Sequence, residues 1–196
     1  MIELEATEVD LAHPCTDISL YTPDLDLLAY MLQDLRSLIR SSDAGKVELV
    51  AHEPTFWHVH GLRRRTVVCE PALIRRADRV CIVGFFAARR ESIDYPSLDE
   101  LEMNLLLEFR NFPGILSYSS VELVDNQWAN LVVHMAPDDR EQWRQSAVHV
   151  HAVDELAPVV YHNVRIHNGC LPGGVRGIET IVIESTKYWD LSLIHI

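Results

Sequence analysis

Residues 112–135, FPGILSYSSVELVDNQWANLVVHM, contain the pattern on which the fold prediction rests. Two runs rich in β-branched and aromatic residues, 115–124 and 128–135, flank the short polar segment 125–127. Runs of this composition favour strands, and a short connection containing Asp and Asn suits a hairpin. We therefore predict two antiparallel strands here and place the neighbouring elements around them.

Further strand and helix signals lie on either side of this hairpin. Residues 80–88 are almost entirely apolar, which is typical of a central strand covered on both faces. Ser97 and Glu100 have capping-box spacing, in which the two side chains satisfy free amides at the start of a helix. Pro137, followed by two aspartates, has the composition of another helix start.

Alternation of apolar and polar residues resumes after the second of these helices. Residues 159–167 predict a further strand, a loop follows around the glycines of 169–177, and residues 178–184 predict a last strand. The predicted fold class is α+β. It is a ferredoxin-like βαββαβ unit over residues 80–190, with helices on one face of an antiparallel sheet.

Residues 1–79 precede this unit, and we predict that they form an N-terminal α/β extension. Apolar residues recur at helical spacing from Asp24 until a stop near residues 41–45. The remaining elements are an extended arm at 1–22 and short strands at 46–52, 56–60 and 65–69. We expect the extension to be a cap over a pocket or a degenerate half of a second unit.

The last six residues, 191–196, read LSLIHI. This peptide is what the mosaic-end sequence of a transposase used in sequencing libraries encodes in one frame. We therefore expect residues 191–196 to be an assembly artefact from environmental sequence, with the natural C-terminus elsewhere.

Charge limits the classes of partner. The chain has 29 acidic and 17 basic residues and a formal net charge of −12. Such a field repels the phosphates of nucleic acids and anionic membrane surfaces, and the short basic run at 63–65 is typical of a solvated strand end. No apolar run is long enough to span a bilayer. We expect neither nucleic acid nor membrane as a partner.

The four cysteines, Cys15, Cys69, Cys81 and Cys170, lie far apart in the sequence. They form no C-x-x-C pair, which argues against a zinc ribbon and against a redox dithiol. With an acidic start and no export signal, reduced thiols in the cytoplasm are the expectation.

Alternation divides each predicted strand into two faces. In the hairpin one face is apolar and suits packing under the helices, whereas the other is polar and aromatic. A sheet covered on one side leaves the second face to water, a ligand or a second subunit. The candidate substrate-binding residues are those of the polar-aromatic face, Tyr118, Trp128, Asn130, His134, Tyr161, Asn163, Arg165 and His167. We expect Arg165 to be partly buried and paired with a carboxylate, with Glu122 of the same face as the first candidate, because an unpaired buried guanidinium is unfavourable.

The second predicted helix carries the candidate catalytic residues Trp143, His149 and His151. If residues 138–151 form one straight helix, Trp143 and His151 share an arc and His149 lies off it. An imidazole with a pKa near neutrality can remove a proton from a phenol or enol, or supply a nitrogen to haem iron. A core or interface histidine is an equally open interpretation of either residue.

A possible metal site is His58-Val59-His60. On a strand, His58 and His60 point to the same face with a spacing that metal sites use, but a single H-x-H pattern is weak.

The second half of the chain resembles the dimeric α+β barrel proteins, the group that includes antibiotic-biosynthesis-monooxygenase-like domains. The resemblance covers about residues 80–183. Its residues are Phe112-Pro113-Gly114 with Leu116 and Tyr118, then Trp143, His149 and Ala152 in a W-x5-H-x2-A arrangement, then Tyr161, Val164, Arg165 and His167-Asn168-Gly169. The resemblance implies a homodimer whose two sheets form a barrel, with a ligand pocket inside it or beneath the helices. It also favours His149 over His151 as the functional histidine.

Three functional hypotheses follow. The first is an enzyme that binds a small aromatic or polyketide-like molecule and performs oxygenase or isomerase chemistry, with His149 or His151 as the base. This enzyme would need no cofactor, since no G-x-G-x-x-G pattern for a flavin or nucleotide opens a helix. The second is a haem protein with one of His134, His149, His151 or His167 on the iron. The third is a non-catalytic dimeric binding domain.

Overall fold

The chain folds around one antiparallel sheet. A computed structural model describes residues 2–4, 16–59, 62–90 and 96–191. The strands are β1 (Ile2–Leu4), β2 (Pro54–Val59), β3 (Leu62–Val68), β4 (Arg79–Arg89), β5 (Ile115–Glu122), β6 (Gln127–His134), β7 (Tyr161–Pro172) and β8 (Val182–Asp190). Their order across the sheet is β1-β8-β7-β4-β6-β5-β3-β2, and all neighbours are antiparallel. Seven strands of some length and a three-residue edge strand thus form an α+β fold, as predicted.

The α-helices are α1 (Tyr21–Asp43), α2 (Pro71–Ile74), α3 (Pro96–Glu108), α4 (Pro137–Arg144), α5 (Ala147–His151) and α6 (Ala157–Val160). From β4 to β7, helices and strands follow one another in the predicted order. A helix begins at Pro96, next to the predicted capping box, but the structure describes only the backbone of Ser97 and Glu100, so their capping interaction stays a prediction. Of the helices in the described ranges, none is both long and apolar enough to cross a membrane.

Part of the N-terminal region belongs to the same sheet. β3 pairs with β5 from Arg64↔Val121 to Val68↔Ser117, and β2 forms the edge beyond it. At the opposite edge β8 pairs with β7, and β1 pairs with β8. The four strands of the predicted βαββαβ unit, in the order β7-β4-β6-β5, therefore form the middle of a wider sheet.

Helix α1 covers one face of this sheet. Its apolar stripe, which includes Leu28 and Leu35, is fully buried against Ile82, Leu131 and Val133. Gly84 allows this close approach, because a Cβ there would lie 2.8 Å from the Leu28 methyl carbons. Each large apolar side chain buried in this way contributes about 1.5–3 kcal/mol to stability.

Helices α3 to α5 cover the opposite face. Leu106, Phe109 and Trp143 pack there with Tyr118 of β5. The helices of the predicted βαββαβ unit thus share one face, but the prediction that the other face meets water, a ligand or a second subunit is wrong, because the amphipathic α1 packs on it. The prediction that the apolar face of the hairpin packs under the unit's helices is also wrong, because that face lies under α1 and the polar-aromatic face lies under α3 to α5.

Two predicted strands are placed incorrectly by the sequence pattern. Residues 46–52 form no strand, and His52, with a φ of 64°, lies in a turn shortly before β2. The last strand begins at Val182 rather than 178, because β7 continues through Gly169 to Pro172 and turns at Gly173 and Gly174, which have φ of 74° and 66°.

The helical segment after β6 is broken rather than straight. α4 ends at Arg144, and Ser146 caps α5 by accepting a hydrogen bond from the His149 amide at 3.1 Å. Residues 152–156 then form a π-helical turn before α6. The break changes the direction in which the histidines point.

Leu191, the first residue of the suspected artefact, is fully buried beside Ala87 and Val164. Its amide donates to the His162 carbonyl at 2.8 Å. Residues 192–196 lie outside the described residues, so the expectation about their origin stays a prediction.

Candidate functional site

A cavity of about 210 Å³ lies between the sheet and helices α3 to α5. An apolar cavity of about 150 Å³ is sufficient for benzene, and sites for drug-sized ligands start near about 300 Å³. The volume is therefore suited to one ring with a few further atoms. The apolar walls are formed mainly by Val83, Phe85, Leu106, Phe109, Val132 and Ile166.

Strand β6 forms the floor of the cavity and separates its polar groups. Asn130, Val132 and His134 alternate onto the cavity side. Four residues of extended strand span about 13 Å at about 3.3 Å per residue. Asn130 and His134 therefore mark two polar ends, with the apolar Val132 between them.

The first polar end is built around Tyr118. Its hydroxyl oxygen lies 3.1 Å from Glu102 Oε1 and 2.9 Å from Asn130 Oδ1. The buried Arg65 guanidinium forms an ion pair with Glu102. Burial, followed by the Glu102 charge, raises the pKa of Tyr118 well above its usual 10. The phenol therefore stays protonated and can act as a hydrogen-bond donor at all physiological pH values.

The second polar end contains His134. Its side chain is only 1% exposed, and burial, with smaller contributions from Arg140 and His149, lowers its pKa from 6.5 to about 3. The imidazole is therefore neutral near pH 7. Its Nδ1 has no hydrogen-bond partner within the described part of the chain. An unsatisfied buried ring nitrogen is costly unless a ligand or water completes it.

His149 lies at the same end, on α5. Its ring meets the Trp143 ring edge to face, with 5.3 Å between the centroids. Burial, followed by the Arg144 charge, lowers the pKa of His149 below its usual 6.5, so that it too is neutral near pH 7. The Ser146 cap orients the backbone that carries it. His149 is thus a half-buried neutral imidazole on an apolar wall.

His151 is not at the cavity. It is half exposed, and its Nδ1 lies 3.1 Å from Glu155 Oε2. The helical-wheel expectation that His151 is the buried histidine is wrong because the chain breaks at Gln145 and Ser146. Among the other predicted residues, Trp143, Tyr118, Asn130, His134 and Tyr161 line the cavity with His149.

A second, smaller group of predicted residues lies elsewhere. Trp128, Asn163 and Arg165 border a hollow of about 190 Å³ near Leu20 and Phe86. The Arg89 guanidinium lies 4.3 Å above the centre of the Trp128 ring. These residues are separated from the two histidines of the cavity.

Arg165 and His167 face α1. Arg165 binds Asp24 through two hydrogen bonds of 2.5 and 2.7 Å, and His167 Nε2 lies 2.8 Å from Asp24 Oδ2. Arg165 is 8% exposed, so it is more fully buried than expected. The predicted pairing with Glu122 is wrong, because Glu122 lies near Arg89 at 3.9 Å. The irregular β4–β7 pairing at Ala88 and Arg89 also places Tyr161 on the cavity side, away from Arg165.

Three residues of these clusters, Glu102, Arg140 and Asp24, were not predicted from the sequence. Glu102 lies in α3, and its interaction with Tyr118 depends on how that helix packs. Arg140 borders the cavity and donates to Asn168 Oδ1 at 3.3 Å. Asp24 did carry a signal, because it precedes Leu28 by four positions and so shares its buried helix face.

The positions of the histidines also bear on metal and haem binding. His58 is exposed on the edge strand β2, and His60 lies outside the described residues. Within the described ranges, no group of three His, Cys, Asp or Glu side chains could hold a metal ion. The cavity that contains His134 and His149 is too small for a porphyrin, so haem does not fit these residues.

No protein-family model matches the sequence, and a search of curated proteins finds no match. A crystal structure described as protein SO0527 from Shewanella oneidensis is similar over 48% of this chain and 92% of its own, with 11% identity and a TM-score of 0.41.

Proposed function

We propose that the cavity binds a single-ring molecule with an acidic C–H or O–H group and that His149 removes a proton from it. The observation that carries this proposal is the presence of two neutral imidazoles, the buried His134 and the half-buried His149, at one end of an apolar cavity. The activity is of the isomerase or oxygenase class. Both reactions begin with this proton transfer.

His149 is the better base of the two. His134 is almost fully buried, and burial brings its pKa to about 3, whereas His149 is only half-buried and keeps part of its surface in water. A base works best when its pKa lies near the working pH and its unprotonated form is populated. His134 instead accepts a hydrogen bond from the ligand or orients it.

The remaining polar groups would bind the two ends of the ligand. Arg140 at the His134 end favours the enolate or phenolate that proton removal produces, since it places positive charge beside the developing anion. Tyr118 directs its one hydroxyl proton at Glu102 and Asn130, so its oxygen is left to accept a hydrogen bond from a ligand hydroxyl at the far end. A para-substituted ring with one polar group at each end matches this arrangement.

The strand order supports the finer fold assignment. The central strands β7-β4-β6-β5 follow the order 4-1-3-2 within the βαββαβ unit, which fits a ferredoxin-like fold. Trp143, His149 and Ala152, which carry the resemblance to the monooxygenase-like domains, all border the cavity. We further propose that α1 takes the place of a partner's sheet on the face opposite the cavity, so that the expected homodimer is not required to cover that face.

A binding experiment tests the first half of this proposal. Para-hydroxyphenylpyruvate carries a phenol, one ring and an acidic C–H group beside a ketone, and isothermal calorimetry measures its binding. We expect saturable binding to the wild-type protein and its loss in Val132→Trp, because the indole fills the space between the two polar ends. Val124→Trp is the matched control, since Val124 is exposed in the hairpin turn.

The second half of the proposal concerns proton transfer. Deuterium incorporation at the carbon beside the ketone, followed by NMR, reports removal of that proton. Binding without accelerated exchange would favour the non-catalytic binding domain. Absence of binding for this probe and for a panel of monocyclic phenols and ketones would contradict the proposed function.

A further inference from the structure

The sheet brings together two cysteines that lie far apart in the sequence. Cys81 of β4 pairs directly with Cys170 of β7 in the antiparallel register. Residues directly opposite each other in such a pair point to the same face of the sheet. Both are free thiols. The sequence alone argued against a redox dithiol because no short spacing joins them.

The hydrogen-bond phase of β4 defines the geometry of this pair. The Arg89 amide donates towards the β6 side, to the Asn126 carbonyl, and the Arg90 amide donates towards β7, to the Val160 carbonyl. Amides of alternate residues on a strand point to the same side, so the Cys81 amide also points towards β6. Cys81 and Cys170 therefore form a non-hydrogen-bonded pair.

In an antiparallel sheet the side chains of a non-hydrogen-bonded pair lie closer together than those of a hydrogen-bonded pair. The Cα atoms of a non-hydrogen-bonded pair lie about 4.5 Å apart, which is within the about 4.4–6.8 Å range that a disulfide spans. A bond between the two sulfur atoms therefore needs little movement of the backbone. The pair Arg79↔Pro172, two residues along, is also of the non-hydrogen-bonded kind. This agrees with the proline, which has no amide hydrogen to donate to β4.

We propose that Cys81 and Cys170 form a thiol–disulfide pair that low-molecular-weight disulfides oxidise to a cross-strand disulfide. Cys81 attacks first, since it is partly exposed whereas Cys170 is only 4% exposed. The Cys81 thiolate forms a mixed disulfide and releases one small thiolate. The Cys170 thiolate then displaces the second small thiol. The two cysteines lose two protons and two electrons, and the small disulfide gains them.

The surroundings of the two thiols determine the rate of this step. Arg79 Nη2 lies 3.1 Å from Cys170 Sγ, where positive charge favours the thiolate. Burial nevertheless raises the pKa of both thiols, so oxidation is expected to become faster as the pH rises. Cys69 is a contrasting case, because it is 1% exposed and burial raises its pKa to about 12.

The pair lies beside the candidate site. Cys81 of β4 pairs with Cys170 of β7 on one side and with His134 of β6 on the other. The three residues therefore form one row across the sheet. Oxidation would covalently link β4 and β7 next to a residue that lines the cavity. The inference does not depend on the proposed function, because it uses only the register and the exposure of the thiols.

Equilibration of the native full chain with glutathione redox mixtures tests this proposal. After acid quenching and alkylation, non-reducing peptide mapping should detect a cross-linked peptide containing Cys81 and Cys170, with loss of both free thiols and recovery on reduction. The cross-link should be absent from Cys81→Ser and from Cys170→Ala, and it should persist in Cys69→Ser.

The wild-type map decides the matter even if a variant fails to fold. A native protein that gives only mixed glutathione disulfides, or that cross-links Cys15 or Cys69 instead, would overturn the proposal. The same result follows if both thiols remain alkylatable in excess oxidised glutathione. Protein unfolded in guanidinium supplies the reference, because all four cysteines are then free to form other pairs.

Discussion

Asp24 of α1 and Arg165 of β7 form a buried two-bond ion pair, with 2.5 Å between Arg165 Nε and Asp24 Oδ2 and 2.7 Å between Nη2 and Oδ1. His167 adds a third contact to the same carboxylate, and Thr186 Oγ1 lies 2.8 Å from the other ring nitrogen. This cluster joins the N-terminal helix to the centre of the sheet. It makes α1 an integral cover of that face.

Removal of one partner of this ion pair should destabilise the fold strongly. Arg165→Met leaves the Asp24 carboxylate buried with only His167 beside it, and breaking a buried pair in this way costs about 3–5 kcal/mol. Urea unfolding followed by circular dichroism measures the loss. Arg176→Met is the control, because the Arg176–Asp43 pair is exposed and its removal should cost less than about 1 kcal/mol.

The double variant Asp24→Asn/Arg165→Met should lose less stability than the two single changes summed, because the uncompensated charge disappears. Additive losses would contradict direct pairing of these residues.

Contact between α1 and the sheet can be tested at Gly84. An alanine there would bring its Cβ to 2.8 Å from the Leu28 methyl carbons, so Gly84→Ala should cost about 1–3 kcal/mol through overpacking. Leu28→Ala alone should cost about 2–5 kcal/mol by leaving a cavity. In the double variant the new methyl group occupies part of that cavity. The double variant should therefore lose less free energy of unfolding than the sum of the losses in the two single variants.

Acid should destabilise the protein through His134. The unfolded imidazole binds a proton near pH 6.5, whereas the folded one resists protonation until about pH 3. Between these values the unfolded state binds more protons, so stability is lost as the pH falls, by up to about 1.4 kcal/mol per pH unit. His134→Gln should flatten this part of the stability profile. His151→Gln, which alters an exposed histidine, should leave the slope unchanged.

Tyr118 should govern selectivity for a hydroxyl on the ligand. Wild-type protein is expected to prefer para-hydroxyphenylpyruvate over phenylpyruvate, since Tyr118, Glu102 and Asn130 form the polar end that receives the hydroxyl. Tyr118→Phe should reduce that preference about tenfold, which corresponds to a hydrogen bond of about 1.4 kcal/mol. Calorimetric titration of both ligands against both proteins measures the ratio. An equal loss of affinity for both ligands would place the hydroxyl elsewhere.

Local patterns predicted the hairpin and its faces. The alternation along β6 correctly groups Asn130 with His134, because the period of a strand is two whatever lies above it. The same alternation could not identify which helix covers which face. That depends on α1, which meets β4 and β6 through contacts distant in sequence, such as Leu28 with Gly84.

The identity of the buried histidine depended on a local break that the helical wheel omitted. Ser146 is a favourable N-cap residue, and its position within the supposed straight helix is a signal for a second helix start. The partner of Arg165 was beyond local reasoning, since Asp24 lies 141 residues earlier. Charge and burial required a carboxylate, but only the packing of α1 selected it.

The rate of solvent deuterium incorporation into para-hydroxyphenylpyruvate at the carbon beside its ketone tests the central claim most directly. With His149 as the base, wild-type protein should accelerate exchange, and His149→Gln should lower the rate by about 10²–10⁴-fold while binding is retained. His151→Gln should exchange at the wild-type rate. Undiminished exchange in His149→Gln, with the ligand still bound in the cavity, would contradict the assignment of His149 as the base.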